Sequence, residues 1–287
     1  MRRLISRRTL LCGAAAVAAA AAGAHTMAVG KPDSGLKFAV YGDCRDGHEV
    51  HRKLVAAMLA QKPTLILQTG DLVHRGNDDA AWKTYDDITG DMRKKVLLYP
   101  SRGNHDFGGT GYAERFTAPF TSGNKDYYSF TKGNCHFIAV DVDEHAEFGP
   151  ETEQYKWLIK DLEAAKKSSA HTFVYFHLAP YSIGSHGMNP EVQKTLCPVF
   201  AKYGVRIVFT GHDHNYYHTT RDGVPYIVTG GGGAPLYDTH PDKGAIDGDK
   251  YEKVNHYLVV DVKGKDVHVQ AIRIDGTVIE KFTVSAK

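Results

Sequence analysis

Two histidines one residue apart, His212 and His214, follow Gly211 at the end of a β-branched and aromatic run over residues 205–210. Such a run reads as a buried strand. In extended backbone, residues i and i+2 point the same way, so both imidazoles are expected to face one point. Neutral imidazoles converging at a strand end are most simply explained by a metal ion. Earlier strand ends carry matching chemistry. Asp43 stands in Gly42-Asp43-Cys44-Arg45 and Asp71 in Gly70-Asp71-Leu72-Val73-His74; Asn104 and His105 stand in Gly103-Asn104-His105-Asp106. His177 ends a further apolar run. Carboxylate, amide and imidazole donors together suit Zn, Mn or Fe. A set without cysteine is unlike a structural zinc site. Two ions roughly 3.5–4 Å apart, bridged by one carboxylate, are the standard arrangement for in-line attack on a phosphoryl group.

Taken singly, each residue has a plainer reading. An aspartate after glycine at a strand end often only caps a turn, and His177 alone reads as a core histidine. The series outweighs the singles. Gly230-Gly231-Gly232-Gly233 lacks the lysine and hydroxyl of a phosphate loop. Its glycines are expected to let the backbone pass close to the centre. His48, His51, His145, His240 and His268 have no nameable partner and read as surface residues.

The elements that must position these side chains follow from periodicity. Strands are expected over 36–41, 64–69, 96–99, 172–176 and 205–210. Helices are expected over 48–60, 80–89, 151–167 and 191–202, with Asp79 capping the second. Residues 127–130 and 135–142 read as a hairpin. Antiparallel runs follow at 215–219, 226–228, 256–262 and 267–274, and 277–284 closes the chain. Strand, loop, helix, strand is an α/β pattern, and in such sheets ligands gather beyond the carboxyl ends of the strands.

The ordered set Gly-Asp, Gly-Asp, Gly-Asn-His-Asp, His, Gly-His-x-His resembles the calcineurin-like metallophosphoesterase superfamily over about residues 37–235. His177-Leu178-Ala179-Pro180-Tyr181-Ser182, followed by His186 and by Gly211-His212-Asp213-His214-Asn215-Tyr216, is similar to its purple acid phosphatase branch. The resemblance implies a four-layer α/β/β/α sandwich of two mixed sheets and two metal ions (Fe, Mn or Zn). Asp71 would bridge them, Asp43 and His214 would hold the first, and Asn104, His177 and His212 the second. His105 would act catalytically as proton donor or phosphate contact, with His186 touching substrate at the rim. A metal-activated hydroxide would attack a small phosphate mono- or diester.

Two positions depart from the pattern. The superfamily's usual first motif is Asp-x-His; here it is Asp43-Cys44-Arg45. A guanidinium is no ligand, but Arg45 could grip a phosphate oxygen. The purple branch instead uses a tyrosine three residues after the bridging aspartate; here that position is His74. Either His74 supplies the missing donor, or the first metal is held loosely by Asp43, Asp71, His214 and water. Without the phenolate, no purple colour is expected. The alternative function is a degenerate single-metal relative that binds phosphate without turnover. A metallo-β-lactamase-like hydrolase would need His-x-His-x-Asp-His, which the chain lacks.

With 42% hydrophobic and 24% charged residues among 287, the composition is that of an ordinary water-soluble fold. No linker or repeat divides residues 36–287, which read as one domain. Residues 1–24 carry Ser6-Arg7-Arg8-Thr9-Leu10-Leu11, an uncharged Ala-rich run, and a small-residue cleavage site at Ala22-Gly23-Ala24. That is a twin-arginine-type export signal, followed by a flexible segment over 25–35. The run is short and weakly apolar for a membrane span. The expectation is a periplasmic or secreted protein with no anchor after cleavage. Cleavage removes four arginines and no acid, moving the net charge from +2 to −2. The mature surface is then no obvious binder of nucleic acid. Cys44, Cys135 and Cys197 are too few and too widely spaced for a disulfide framework.

Overall fold

The computed structural model describes residues 35–116, 122–123, 126–143 and 145–285. The expected export signal and most of the segment after it lie outside the described residues. Strands β1 (Leu36–Tyr41), β2 (Leu65–Gln68) and β3 (Leu97–Pro100) alternate with helices α1 (His48–Ala60) and α2 (Asp79–Arg93). Helix α3 (Gly111–Arg115) precedes β4 (Ser122–Gly123), β5 (Tyr128–Lys132) and β6 (Cys135–Ala139). Then come α4 (Glu153–Ser168), β7 (His171–Leu178), α5 (Pro190–Thr195), α6 (Cys197–Tyr203) and β8 (Ile207–Gly211). The chain closes with β9 (Tyr216–Arg221), β10 (Val224–Thr229), β11 (Lys250–Glu252), β12 (His256–Lys263), β13 (Asp266–Arg273) and β14 (Val278–Ser285).

Two mixed sheets result, ordered β14-β13-β12-β1-β2-β3 and β11-β9-β10-β8-β7-β6-β5-β4. The strands that lead into the polar motifs pair in parallel: β1 with β2, β2 with β3, and β7 with β8. Their carboxyl ends therefore share one edge of each sheet. Strand alternation sorts the apolar side chains. Phe38 and Val40 of β1 enter the layer between the sheets, with Phe137, Phe173 and Phe209 from the facing sheet. Ala39 and Tyr41 point outward to Leu54 and Met58 of α1 and Trp82 and Tyr85 of α2. On the far side, Val174 and Phe176 meet Leu158 of α4 and Phe200 of α6. This is the α/β/β/α sandwich expected from the resemblance. Phe38 sits at its middle, edge-on to Phe137 and Phe173 with ring centroids 5.2 Å away in both cases.

Four expectations are corrected. The helix over 191–202 is two helices, α5 and α6, because Pro198 lacks the amide that a continuous helix needs. The cap of α2 is Asp78, whose side chain accepts from the amides of Ala80 and Ala81. That helix also runs through Gly90, since burial of Ile88 and Met92 outweighs glycine's weak propensity. His51 is not on the surface: it is buried, with Nε2 3.1 Å from the Tyr41 hydroxyl. Cys44, Cys135 and Cys197 are buried free thiols.

His51 and His256 are both fully buried in hydrophobic surroundings. Burial pulls the first imidazole down to about 3 and the second to about 4. The folded state therefore keeps both neutral while the unfolded chain protonates near its ordinary value, about 6.5. Their contribution is fully present above that value and is lost as pH falls toward the folded values. Stability is expected to drop by about 1.4 kcal/mol per pH unit for each histidine across that window. Urea midpoints between pH 7 and 4.5 for the wild type and a His51→Gln, His256→Gln double variant measure it. A variant with the same acid slope would exclude these histidines as the cause.

Candidate metal centre

Each functional side chain sits just past, or at the end of, a strand. Asp43 follows β1, Asp71 follows β2, and Asn104 and His105 lie in a 3-10 turn after β3. His177 is the penultimate residue of β7, and His212 and His214 follow β8. Asp43, Asp71 and His212 all take left-handed backbone, with φ of 57°, 56° and 71°. For residues other than glycine that conformation costs on the order of 1–3 kcal/mol each, and such strain clusters at functional sites. The glycines beside them let the loops close. A Cβ on Gly211 would collide with Oδ2 of Asp43, and one on Gly103 with the Asp71 amide and carboxylate.

The left-handed turn at His212 alters one expectation. His212 and His214 do not face one point, because positive φ breaks the extended geometry. His212 Nδ1 lies 3.1 Å from Asn104 Oδ1 and 3.2 Å from His177 Nε2. His214 Nε2 instead faces Asp43 Oδ1 at 3.5 Å. His177 Nε2 completes the first group, 2.9 Å from Asn104 Oδ1 and 3.3 Å from Asp71 Oδ1. Ligand atoms of Asp43, Asp71 and His177 all fall within 4.8 Å of one another. Six of the sequence-derived candidates thus meet in one buried cluster with two adjoining halves.

The proton inventory of this cluster suits a cation. His177 Nδ1 lies 2.9 Å from the Thr69 carbonyl, and His214 Nδ1 lies 2.6 Å from the Pro235 carbonyl. A carbonyl only accepts, so both Nδ1 atoms carry the proton and donate it. In neutral rings each Nε2 is then a bare lone pair. The His177 lone pair faces Asn104 Oδ1, Asp71 Oδ1 and, at 3.2 Å, His212 Nδ1, and the His214 lone pair faces Asp43 Oδ1. Burial draws the His214 imidazole down to about 4 and, with His177 beside it, His212 to about 2. Imidazoles oriented by carbonyls, with the other ring nitrogen turned to carboxylate and amide oxygens, are the usual support of metal ligands. The residues present therefore fit a metal group.

Charge is unevenly spread over the two carboxylates. Burial and the neighbouring Asp71 charge push the Asp43 carboxyl well up. Burial also acts to raise Asp71, but His177, His105 and Arg45 outweigh it and hold the group below its ordinary value. Asp71 Oδ1 accepts from the His105 amide at 3.1 Å, and Oδ2 from Arg45 Nε at 3.2 Å.

The remaining candidates lie around the cluster. His105 Nδ1 is anchored on the His74 carbonyl at 2.7 Å, leaving Nε2 3.9 Å from Asp71 Oδ2. The His74 side chain turns to Asp46, with Nδ1 3.2 Å from Oδ2; among the described contacts it meets neither Asp43 nor His214. The His186 ring lies 4.0 Å from the His212 ring, at the mouth of a cleft of about 420 Å³ that Asn104, His212, Asp143, Leu178 and Met188 also line.

Three contributors escaped the sequence reading. Asp106 accepts from the amides of Asp71, Leu72, Val73 and Gly103, tying two ligand loops together. Burial and the Asp71 charge push its carboxyl up to about 8. Asp213 accepts from the Ser182 hydroxyl and from the amides of His186 and Gly187, holding the rim loop. Both stood inside the motifs, and a carboxylate among ligands that is not itself a ligand is the signal that could have found them. Tyr237 stacks on His214 at 4.1 Å from a loop whose sequence carries no such signal.

Among known proteins, the chain is 26% identical over 249 residues to a purple acid phosphatase of Glycine max, covering 76% of this chain and 53% of that enzyme. It is 26% identical over 224 residues to the human serine/threonine-protein phosphatase CPPED1, covering 68% and 70%. It spans about half the length of the plant purple acid phosphatases from Glycine max and Ipomoea batatas. By structure it is similar to the purple acid phosphatase PPD1 of yellow lupin seeds, with a TM-score of 0.78 at 17% identity over 88% of this chain and 54% of that one. It also superposes on GAP50, the anchor in the inner membrane complex of Plasmodium, with a TM-score of 0.69 at 18% identity over 88% and 89%. These two likenesses show the fold alone. The calcineurin-like phosphoesterase model matches residues 36–216, the stretch that holds every ligand candidate just described, and the chain belongs to that family.

Proposed function

We propose that this protein is an exported phosphoesterase that hydrolyses small phosphate mono- or diesters with the help of two metal ions (Fe, Mn or Zn). The observation that carries this reading is the pair of carbonyl-anchored imidazoles, His177 and His214, whose free nitrogens face carboxylate and amide oxygens. That donor set fits a cation. Asn104, His177, His212 and Asp71 would hold one ion. Asp43 and His214 would hold the other, sharing Asp71. When bound, such ions supply a water of lowered pKa and positive charge for phosphoryl oxygens.

The chain's own groups do the rest. His105 has its Nδ1 proton committed to the His74 carbonyl. The proton it can give a leaving oxygen is therefore the one at Nε2, in the imidazolium form. Its backbone amide meanwhile fixes the orientation of Asp71. Arg45 brings a permanent charge to the same carboxylate and can bind a phosphate oxygen. His186, steered by Asp213, bounds the cleft where the alcohol would sit. Export by the twin-arginine route, with no anchor after cleavage, belongs to the proposal. Among the described residues no helix is long and apolar enough to cross a membrane. No nucleic-acid partner is proposed.

The test is hydrolysis of p-nitrophenyl phosphate and bis-p-nitrophenyl phosphate by the purified protein before and after chelation, with Mn, Zn or Fe restored. Turnover is expected to fall to background on chelation and to return with metal. Turnover that survives complete metal removal would defeat the reading. Metal-loaded protein that binds phosphate but turns over neither ester would support the alternative, a binding relative.

A further inference from the structure

The two halves of the centre are built differently. In the half formed by Asp71, Asn104, His177 and His212, four donor atoms lie at successive separations of 2.9 to 3.3 Å. No protein cation is among them. In the other half, Asp43 and His214 stand 3.5 Å apart; Arg45, whose charge acts on both, donates from Nε to Asp71 Oδ2. The guanidinium is not a loose neighbour. Its Nη1 lies 2.7 Å from Asp46 Oδ2, and Asp46 in turn is held by His74 Nδ1. Tyr237, stacked on His214, stands beside the same arginine, whose charge acts on its phenol. The side chain is about 10% exposed. Arg45 is thus gripped by two carboxylates and bordered by the Tyr237 ring.

We propose that Arg45 is the resident cation of the Asp43–His214 half: the protein binds one metal ion tightly, and a second enters only by displacing Arg45 from Asp71. His74 on this view is not a metal donor; it braces Asp46, which braces the arginine. The inference rests on the metal-dependent reading above and refines it. A guanidinium cannot be deprotonated to make room. Two like charges within a few ångströms repel, so the second affinity is set by competition. The clamped charge can serve the phosphate as well, since a planar fork matches two phosphoryl oxygens.

The test is calorimetric titration of the chelator-stripped full chain with Mn²⁺, beside Arg45→Gln. Bound metal is counted after gel filtration, and the fold of each protein is checked by its melting curve. Wild type is expected to show one tight site and a second at least 100-fold weaker. Arg45→Gln is expected to tighten the second at least tenfold and leave the first unchanged. Two sites of equal affinity in the wild type would overturn the proposal without help from the variant. So would a folded Arg45→Gln protein whose second site stays weak. If no cation binds at all, the metal-dependent reading falls too, an outcome distinct from equal binding.

Discussion

Asp71→Asn is expected to lower turnover on the order of 10³-fold, the upper range for removing one preorganised electrostatic group, while leaving the fold in place. The substitution is nearly isosteric, and the amide oxygen can still accept from the His105 N–H at the Oδ1 position. That choice puts the amide nitrogen where Oδ2 was, facing Arg45 Nε, so two donors meet. The larger effect is the missing negative charge. His177, His105 and Arg45 surround it, and in the proposed function it would serve both ions. Metal content by mass spectrometry should fall with activity, and the melting curve should stay cooperative. A variant that keeps wild-type turnover and metal would remove Asp71 from the mechanism and leave Asp43 as the only carboxylate able to serve.

Asp106→Ala is expected to act through stability. The carboxylate accepts four backbone amides, three in the loop after β2 and one before the Asn104 turn. It is buried, so water cannot easily replace it. Each stranded buried donor costs ~1–3 kcal/mol, and partial relaxation brings the total to roughly 3–5 kcal/mol. Against a typical stability of ~5–15 kcal/mol, that leaves a marginal fold. Urea denaturation measures the loss. A change below about 1 kcal/mol would mean that the loops hold their shape without the carboxylate. Asp106→Asn separates packing from charge, because it keeps the volume and one acceptor.

The centre was legible in the sequence because each donor closes a run whose own pattern is unambiguous. Residues 205–210 are mostly β-branched and aromatic, and Gly211 ends the run; the same logic locates Asp43, Asp71 and Asn104. Parallel pairing then brings those ends together without further information. The directions of individual side chains were not legible. Positive φ at His212 depends on Asp43 accepting its amide, a contact between residues far apart in the chain. The clamp on Arg45 uses Asp46 and His74, and its wall uses Tyr237. None of these carries a pattern until the fold places them side by side. Pro198 could have been read as a break in the fourth helix; the apolar spacing around it concealed the break. His51 looked exposed because its hydrogen-bond partner, the Tyr41 hydroxyl, belongs to a strand and not to its own helix.

Asp43, Asp71 and Asn104 hang from one sheet, and His177, His212 and His214 from the other. A bound ion is therefore a fastener across the interlayer, clipped at its open edge. Thermodynamic reciprocity makes the fastening work in both directions. A substitution that wedges the phenylalanine layer apart near Phe38 must loosen the ion, and an ion that binds tightly must resist the wedge by the same factor. Affinity for the ion then doubles as a gauge of how well two distant halves of the chain remain in register.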